Sequence, residues 1–281
     1  MISFPNCKIN LGLNVIRKRK DGYHDIETVF YPLPLTDILE IVHNDPLKTV
    51  DAEFKIAGTE FITTGLPING ASDKNLCEKA YQLLKNDFPK LPPVQIYLHK
   101  AIPIGAGLGG GSADGAFTLK LVNEKFQLNL SKEQLLDYAL HLGSDCPFFI
   151  VNRPCFATGR GEFLQGIDLD LTGYSFIIIY PGIHISTLSA FQQLVPASPV
   201  ISIKNIIQQP VSSWKNELIN DFEQSICDQH PELSVIKSKL YDAGAIYASL
   251  SGSGSCFYAI IPKNHFPELH FPGSFQVIQI K

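Results

Sequence analysis

The chain has 281 residues, of which 45% are hydrophobic and 18% are charged, and its formal net charge is −4. This composition is typical of a folded globular protein with one large domain or two of ordinary size. A nucleic-acid partner would favour a basic face, and a membrane span needs about 20 consecutive apolar residues, so the sequence indicates neither partner.

The cysteines and the N-terminal stretch predict a cytoplasmic protein. The six cysteines include no CxxC pair, which argues against a disulfide framework and against a thiolate zinc site. Polar residues interrupt the N-terminal stretch where a signal peptide would be apolar. These observations leave the oligomeric state open.

The first part of the chain is predicted to form a β-rich layer. Apolar and polar side chains alternate over residues 7–15, so one face of this strand belongs to the core and the other carries Lys8 and Asn10. An ordinary edge strand would also tolerate these polar residues. The Asp21-Gly22 pair predicts a hairpin turn, and further strands are expected at 26–33 and 38–43.

Helices and strands are mixed in the middle of the chain. The capping residues Ser72 and Asp73 precede a predicted helix over 76–88, and a strand is predicted over 94–99. A helix over 116–126 follows.

The next helix is capped by Ser131 and ends at Gly143, and Asp145 then lies in a turn before a predicted strand over 148–151. This order of elements suggests an α+β protein rather than a doubly wound parallel sheet.

The C-terminal half shows the same mixture of predicted strands and helices. Strands are predicted at 163–167, 176–180 and 256–261, and helices at 215–227 and 233–243. We therefore expect two α+β domains, one over residues 1–155 and the other over residues 156–281.

The most informative stretch is residues 103–114, the glycine-rich segment, which contains five glycines. It lies between a predicted strand and a predicted helix. Unpaired backbone N–H groups at a helix N-terminus attract anions, and glycine allows a phosphate to approach the backbone closely. The segment therefore predicts a phosphate site, with a flexible surface loop as the plain alternative.

The sequence around this loop argues against several other classes of protein with a similar glycine-rich or serine-containing motif. The segment satisfies GxGxxG, but Glu124 lies within a predicted helix and another helix follows, so a Rossmann unit is not formed. No lysine completes a Walker A motif, and the HRD and DFG segments of protein kinases are absent. Ser112 does not lie in a GxSxG elbow, which argues against a serine hydrolase.

The segment Pro-x-Gly-x-Gly-Leu-Gly-Gly-Gly-Ser-x-Asp resembles the second motif of the GHMP kinases, the superfamily of galactokinase and of homoserine, mevalonate and phosphomevalonate kinases. Residues 8–13 resemble the N-terminal motif of the superfamily, and residues 251–256 resemble its C-terminal glycine motif. The resemblance implies a two-domain α+β fold with the active site in the cleft between the domains.

A narrower resemblance comes from the segments 19–24, 28–30, 143–149 and 157–162. They are similar to the kinases that use ATP to phosphorylate the 2-hydroxyl of 4-diphosphocytidyl-2-C-methyl-D-erythritol in the non-mevalonate pathway to isoprenoid precursors. Ala113, Gly115 and Ser144 depart from that family's usual serine, alanine and alanine, and none of these changes removes a charged or catalytic group.

The resemblance also implies roles for individual residues. Asp145 would face the acceptor hydroxyl as the base, with Lys8 nearby; the plain alternative for Asp145 is a turn residue. Ser112 would contact the phosphates and Mg²⁺, or simply cap the following helix. Lys100 and Asn75 would line the adenosine pocket, although each would otherwise be read as a surface residue. The ATP-binding residues implied are Pro103, Gly105, Gly107, Leu108, Gly109, Gly110, Gly111, Ser112, Lys100 and Asn75.

On the acceptor side, Tyr23 and His24 would hold cytosine and Asn10 would help to place the methylerythritol. Phe191 would close the other side of the base, or pack in the core. Another GHMP kinase, of the mevalonate or homoserine type, and a non-catalytic nucleotide sensor remain as alternatives. The presence of both Lys8 and Asp145 argues against the sensor.

Overall fold

The computed structural model describes residues 1–43, 55–56, 59–68 and 75–281. Its two compact units are not contiguous in the chain. The first unit comprises Met1–Cys7, Pro34–Ile104 and Gly109–Asn152, and the second comprises Lys8–Leu33, Gly105–Leu108 and Arg153–Lys281. The predicted division of the chain at residue 155 stays a prediction.

In chain order the described strands are β1 (Ile2–Ser3), β2 (Asn6–Lys18), β3 (His24–Thr36), β4 (Ile38–His43), β5 (Lys55–Ile56), β6 (Thr59–Gly65), β7 (Val94–Lys100), β8 (Cys155–Gly159), β9 (Phe163–Gly166), β10 (Tyr174–Tyr180), β11 (Tyr247–Leu250), β12 (Phe257–Pro262) and β13 (Gln276–Ile280). The described α-helices are α1 (Leu76–Asp87), α2 (Gly110–Lys125), α3 (Lys132–Leu142), α4 (Cys146–Val151), α5 (Thr187–Gln192), α6 (Ile203–Ile206), α7 (Phe222–Gln229) and α8 (Pro231–Asp242), and a 3-10 helix spans Val211–Asn216. The predicted α+β class is confirmed.

The first unit contains a sheet in the order β1-β4-β7-β6-β5 together with α1 to α4. Strand β7 pairs antiparallel with β4 and parallel with β6, so it lies in the middle of the sheet. Helix α1 packs against α2, and α3 against α4. The central strand β7 leads directly into the glycine-rich segment, so the sheet positions one end of that segment.

The second unit contains the sheet β11-β12-β10-β13 and most of the sheet β2-β3-β8-β9. Strand β10 is buried over nearly its whole length between its antiparallel neighbours β12 and β13. Its side chains contribute to an apolar core that includes Leu13, Val15, Phe222 and Leu250.

Two predicted elements are wrong. Residues 148–151 form the end of helix α4 rather than a strand, because Pro147 lies in the first turn of a helix, where proline is favoured. The predicted helix over 215–227 is split into the 3-10 helix and α7. Between them, the side chain of Asn220 donates hydrogen bonds to the carbonyls of Leu250 and Gly252, both at 2.9 Å, which holds the chain out of a continuous helix.

Helix starts are also corrected. Helix α2 begins at Gly110 with Gly109 as its N-cap, so the expectation that Ser112 caps this helix is wrong. Helix α1 is capped by Asn75, whose side chain accepts a hydrogen bond from the backbone N–H of Cys77 at 2.8 Å. The predicted capping residues Ser72 and Asp73 lie outside the described residues.

None of the helices in the described part of the chain has the length and the apolar character that crossing a membrane requires.

Candidate active site

The middle of the glycine-rich segment, Gly105–Leu108, is held by backbone hydrogen bonds within the second unit. The carbonyl of Leu108 accepts from the N–H of Lys8 at 2.9 Å, and the carbonyl of Ala106 accepts from the N–H of Cys256 at 3.1 Å. The three stretches that the sequence singled out, near residues 8, 107 and 251–256, therefore meet in this unit.

Gly107 shows why this part of the segment must be glycine. Its φ is +79°, and a Cβ atom there would lie 1.9 Å from the carbonyl oxygen of Ser251. The hydroxyl of Ser251 donates to the carbonyl of Gly107 at 2.9 Å. A side chain at position 107 would have to displace this contact as well as adopt a strained backbone conformation.

The end of the segment forms the first turn of helix α2 in the first unit. Its N-cap, Gly109, has a φ of +70°, and no side chain caps the turn. A Cβ atom on Gly111 would meet no atom within 4 Å. A helix N-terminus that has no side-chain cap and has open space beside Gly111 is suited to an anion such as a phosphate.

Ser112 and Asp145 lie in the same unit, and both interact with the buried thiol of Cys146. The side chains of Ser112 and Cys146 are hydrogen-bonded, and burial raises the pKa of the Cys146 thiol to about 12. This thiol therefore stays protonated at neutral pH and is not available as a nucleophile or thiolate ligand. Asp145 is the half-buried N-cap residue of α4, and its carboxylate does not cap that helix.

Lys8 belongs to a buried polar chain in the second unit. Its ammonium, 4.8 Å from the centre of the Phe30 ring, donates to Oδ1 of Asn10 at 2.5 Å. The Asn10 amide in turn donates to the hydroxyl of Thr28 at 3.0 Å, and that hydroxyl donates to the carbonyl of Gly12 at 2.5 Å. Asn10 thus orients the Lys8 ammonium and is itself oriented by Thr28.

Two of the predicted cytosine residues, His24 and Phe191, stack on each other in the second unit. The ring of His24 stacks on Phe191 with centroids 4.7 Å apart, and Phe191 and Phe222 form an edge-to-face pair with centroids 4.8 Å apart. Tyr23 is 55% exposed, and the guanidinium of Arg160 lies 4.8 Å from its ring centre. Phe191 therefore combines a contact to the core with a contact to a predicted ligand residue.

The surroundings of His24 favour the neutral form of its imidazole. Partial burial, and to a lesser degree the charge of Lys18, lowers the pKa of His24 below its ordinary value. A neutral imidazole offers one hydrogen-bond donor and one acceptor, which suits a base edge that carries both.

The expectation that Lys100 is otherwise a surface residue is wrong. Lys100 is 3% exposed and forms salt bridges with Asp37 and Asp114. Asn75 is half-buried and engaged in capping α1. The contacts of both residues with adenosine stay a prediction.

Sequence reasoning missed three residues that the structure adds. Thr28 and Arg160 lie inside segments that carried the family resemblance, so their neighbourhood was a signal, although their partners were not. Asp37 had no signal, because its partner Lys100 is 63 residues away in the chain.

The described residues contain no group of three or more His, Cys, Asp or Glu side chains that could hold a metal ion.

Comparisons with known proteins agree with these observations. The family model "GHMP kinases N terminal domain" matches residues 75–153, and "GHMP kinases C terminal" matches residues 212–269. A 4-diphosphocytidyl-2-C-methyl-D-erythritol kinase of Bacteroides fragilis is 50% identical over 98% of this chain and 97% of its own. The kinase of that name from Bacteroides thetaiotaomicron is 51% identical over 95% of each chain.

Solved structures show the same relationship. A crystal structure of 4-(cytidine 5'-diphospho)-2C-methyl-D-erythritol kinase matches with a TM-score of 0.76 and 28% identity, covering 92% of this chain and 90% of that chain. The Methanococcus jannaschii mevalonate kinase matches with a TM-score of 0.64 and 14% identity, covering 94% and 92% of the two chains, which is a likeness of fold alone.

Proposed function

Because the chain belongs to the family of 4-diphosphocytidyl-2-C-methyl-D-erythritol kinases within the GHMP kinases, we propose that it transfers a phosphoryl group from ATP to the 2-hydroxyl of that cytidyl compound. The chain is a kinase of small molecules with ATP as its phosphoryl donor. The alternative of a mevalonate- or homoserine-type kinase has only a likeness of fold behind it.

The proposed choice of substrate rests on Tyr23, His24 and Phe191. Tyr23 offers an exposed ring for stacking, and the guanidinium of Arg160 contacts that ring. His24, the next residue in the chain, offers one hydrogen-bond donor and one acceptor in its neutral form. Cytosine has a flat face and presents an amino donor, so ring stacking and the imidazole together fit a cytidine end. In this proposal Phe191 backs the His24 ring, since their rings already stack on each other.

The glycine-rich segment is the proposed site of the ATP triphosphate. Its supports are the uncapped first turn of α2, the open space at Gly111 and the close packing at Gly107. These features leave backbone N–H groups as phosphate ligands, and such groups need no reorganisation during transfer.

Asp145 and Lys8 are the proposed catalytic residues. Phosphoryl transfer depends mainly on alignment and on neutralising charge. An alcohol is a far weaker acid than a carboxylic acid, so Asp145 would orient the 2-hydroxyl and accept its proton late in the transfer. Lys8 would stabilise negative charge on the transferring group, with its ammonium directed by Asn10 and Thr28.

Mg²⁺ is proposed as the metal that accompanies ATP. It binds in proteins through few side-chain oxygens, with phosphates and water completing its octahedral shell. The half-buried hydroxyl of Ser112, in the first turn of α2, fits this role, and the lack of an acidic cluster among the described residues agrees with a metal held mainly by the nucleotide. Such a metal supplies charge neutralisation between the phosphates.

The test is ATP consumption by the purified protein with the cytidyl substrate, mevalonate or homoserine as acceptor. We expect turnover with the cytidyl compound that exceeds turnover with the other two by orders of magnitude. Equal turnover on all three acceptors, or none on the cytidyl compound, would refute the choice of substrate.

A further inference from the structure

Three ionisable side chains lie buried together in the first unit, and the sequence assigned a role to only one of them, Lys100. Asp37, Lys100 and Asp114 are each at most 3% exposed. The ammonium of Lys100 donates to Oδ2 of Asp37 and to Oδ2 of Asp114, the latter at 2.7 Å. Buried ion pairs of this kind seldom stabilise a fold more than apolar residues of similar volume would, so the Asp37–Lys100–Asp114 triad invites a functional explanation.

Asp37 holds the chain where the glycine-rich segment begins. Its second carboxylate oxygen, Oδ1, accepts from the backbone N–H groups of Ala101 at 2.6 Å and of Ile102 at 2.9 Å. Its own N–H donates to the carbonyl of Pro5 at 2.9 Å, which anchors it. One carboxylate therefore fixes three consecutive residues at the exit of the central strand β7.

Asp114 lies at the other end of the same segment, in helix α2. Lys100 therefore ties together two points of the chain between which the whole glycine-rich segment runs. The contact is tight, because a Cβ atom on Gly110 would lie 3.3 Å from the Lys100 ammonium and 2.9 Å from Cγ2 of Ile102. The first turn of α2 thus packs directly on the residues that Asp37 holds.

The two carboxyl groups differ in how well they are bound. Both oxygens of Asp37 accept hydrogen bonds, whereas Oδ1 of Asp114 is buried without a hydrogen-bond partner among the described residues. Burial raises the pKa of Asp114 to about 7, against the opposing effect of Lys100. Asp37 is therefore the member of the triad that fixes geometry.

Resting on the proposed function, we propose that Asp37 is a positioning residue for ATP. Through Lys100 and two backbone amides it sets the path of the glycine-rich segment before nucleotide arrives, so that the first amides of α2 are already arranged for the triphosphate. A preformed loop avoids the entropy cost of ordering on binding, which would otherwise weaken affinity for the phosphates.

The test compares Asp37→Asn with the matched control Glu60→Gln, which changes a buried carboxylate on β6 that accepts a hydrogen bond from Gln95 instead. Binding of the non-hydrolysable analogue AMP-PNP and of adenosine is measured with each folded protein. We expect Asp37→Asn to weaken AMP-PNP binding at least tenfold and adenosine binding less than twofold, and Glu60→Gln to change neither.

Equal losses for AMP-PNP and adenosine, or an unchanged AMP-PNP affinity, would overturn the proposal, since a loop effect must act through the phosphates. Failure of the unsubstituted protein to bind AMP-PNP would instead refute the proposed function.

Hydrogen exchange in the unsubstituted protein covers the case in which Asp37→Asn does not fold. The amides of Ala101 and Ile102 should exchange slowly without nucleotide, and those of Gly111 and Ser112 should slow on adding AMP-PNP. If Ala101 and Ile102 became slow only with AMP-PNP, the nucleotide rather than Asp37 would shape the segment, and the proposal would be wrong.

Discussion

Gly111→Ala should separate fold stability from ATP binding. Gly111 is the second residue of α2, its φ is not in the left-handed region, and a Cβ atom there would meet nothing within 4 Å. Alanine restricts the unfolded chain more than glycine does and is favoured in a helix. We therefore expect a stability gain of about 0.4–1 kcal/mol. For a chain of this size, that gain raises the Tm by about 1–4 °C.

The same methyl group would project into the space proposed for a phosphate. If it costs one hydrogen bond to a charged oxygen, about 1.5–3 kcal/mol of binding is lost, which corresponds to a rise of about 10- to 150-fold in the KM for ATP. The assay is thermal unfolding without nucleotide, followed by steady-state kinetics with ATP varied at saturating cytidyl substrate.

Two further glycines serve as references. Gly173→Ala, at an exposed turn with nothing within 4 Å of its Cβ position, should leave the KM for ATP unchanged. Gly107→Ala should lower the Tm, because its Cβ would lie 1.9 Å from the Ser251 carbonyl oxygen. A higher Tm for Gly111→Ala with an unaltered KM for ATP would refute the placement of the triphosphate at this helix turn.

Four other outcomes are expected. Asp145→Asn should lower kcat by at least 10³-fold while the affinity for AMP-PNP stays within about threefold, because the amide cannot accept the proton; substantial residual kcat would remove Asp145 from the role of base. Tyr23→Ala should raise the KM for the cytidyl substrate by about 5- to 150-fold, from the roughly 1–3 kcal/mol that stacking on a base contributes, with Tyr23→Phe close to the unsubstituted protein; a larger rise in the KM for ATP would misplace this pocket. Thr28→Val should lower both kcat and stability, the latter by about 2–4 kcal/mol, since it leaves the Asn10 amide and the Gly12 carbonyl unpaired in the core; unchanged kcat would show that Thr28 does not direct Lys8 through Asn10. Asp114→Asn should flatten the dependence of stability on pH. Because the pKa of Asp114 is raised to about 7, this carboxyl is protonated in the folded chain and ionised in the unfolded chain between pH 4 and 7, so the stability of the unsubstituted protein falls by up to about 1.4 kcal/mol per pH unit across that range. The ionisable groups that face Asp114 are Lys100, Asp37 and Cys77, and parallel plots of unfolding free energy against pH for the two proteins from pH 4 to 7 would contradict this.

Local rules predicted the elements whose shape is decided by nearby residues. Ser131 caps α3 in a full capping box, in which its hydroxyl accepts from the N–H of Gln134 and the Gln134 side chain accepts from the N–H of Ser131. This pairing spans three residues, so it is visible in the sequence. The strands and helices that were predicted correctly share this short range.

Elements decided by distant contacts were predicted less well. The run of four apolar residues ending at Val151 fits a buried strand and a buried helix equally well, and periodicity cannot distinguish them over so short a length. The helix expected through Asn220 is interrupted because that side chain binds carbonyls 30 and 32 residues further along the chain. Helix α2 begins at Gly110, six residues before the predicted start, because glycines are unfavourable in helices and therefore gave no sign of its first turn.

The residues of the candidate site also fall into two groups, those in local motifs and those that depend on contacts distant in the chain. Lys8, Asp145 and the glycine-rich segment could be proposed as site residues from the sequence because each lies in a motif whose residues are adjacent in the chain. Asp37 and the burial of Lys100 were not found, because the pairing that buries them joins residues 63 positions apart. A lone lysine at the end of a strand has no local mark that separates a buried ion pair from a solvated side chain.

The polar face of strand β2 is buried, which its sequence pattern did not predict. Its alternation predicted one apolar and one polar face, but Lys8, Asn10 and Asn14 on the polar face are all buried, at 3%, 1% and 5% exposure. Burying polar groups is unfavourable unless each is hydrogen-bonded. Lys8 is satisfied by Asn10, Asn10 by Thr28 and Asn14 by Asp221. An ordinary edge strand would leave such side chains in water, where none of these partners is needed. The strand instead keeps a lysine in a low-dielectric setting, with its ammonium oriented by Asn10 and Thr28. In the proposed mechanism, the cost of burying this charge is offset because the ammonium stabilises negative charge that develops during phosphoryl transfer.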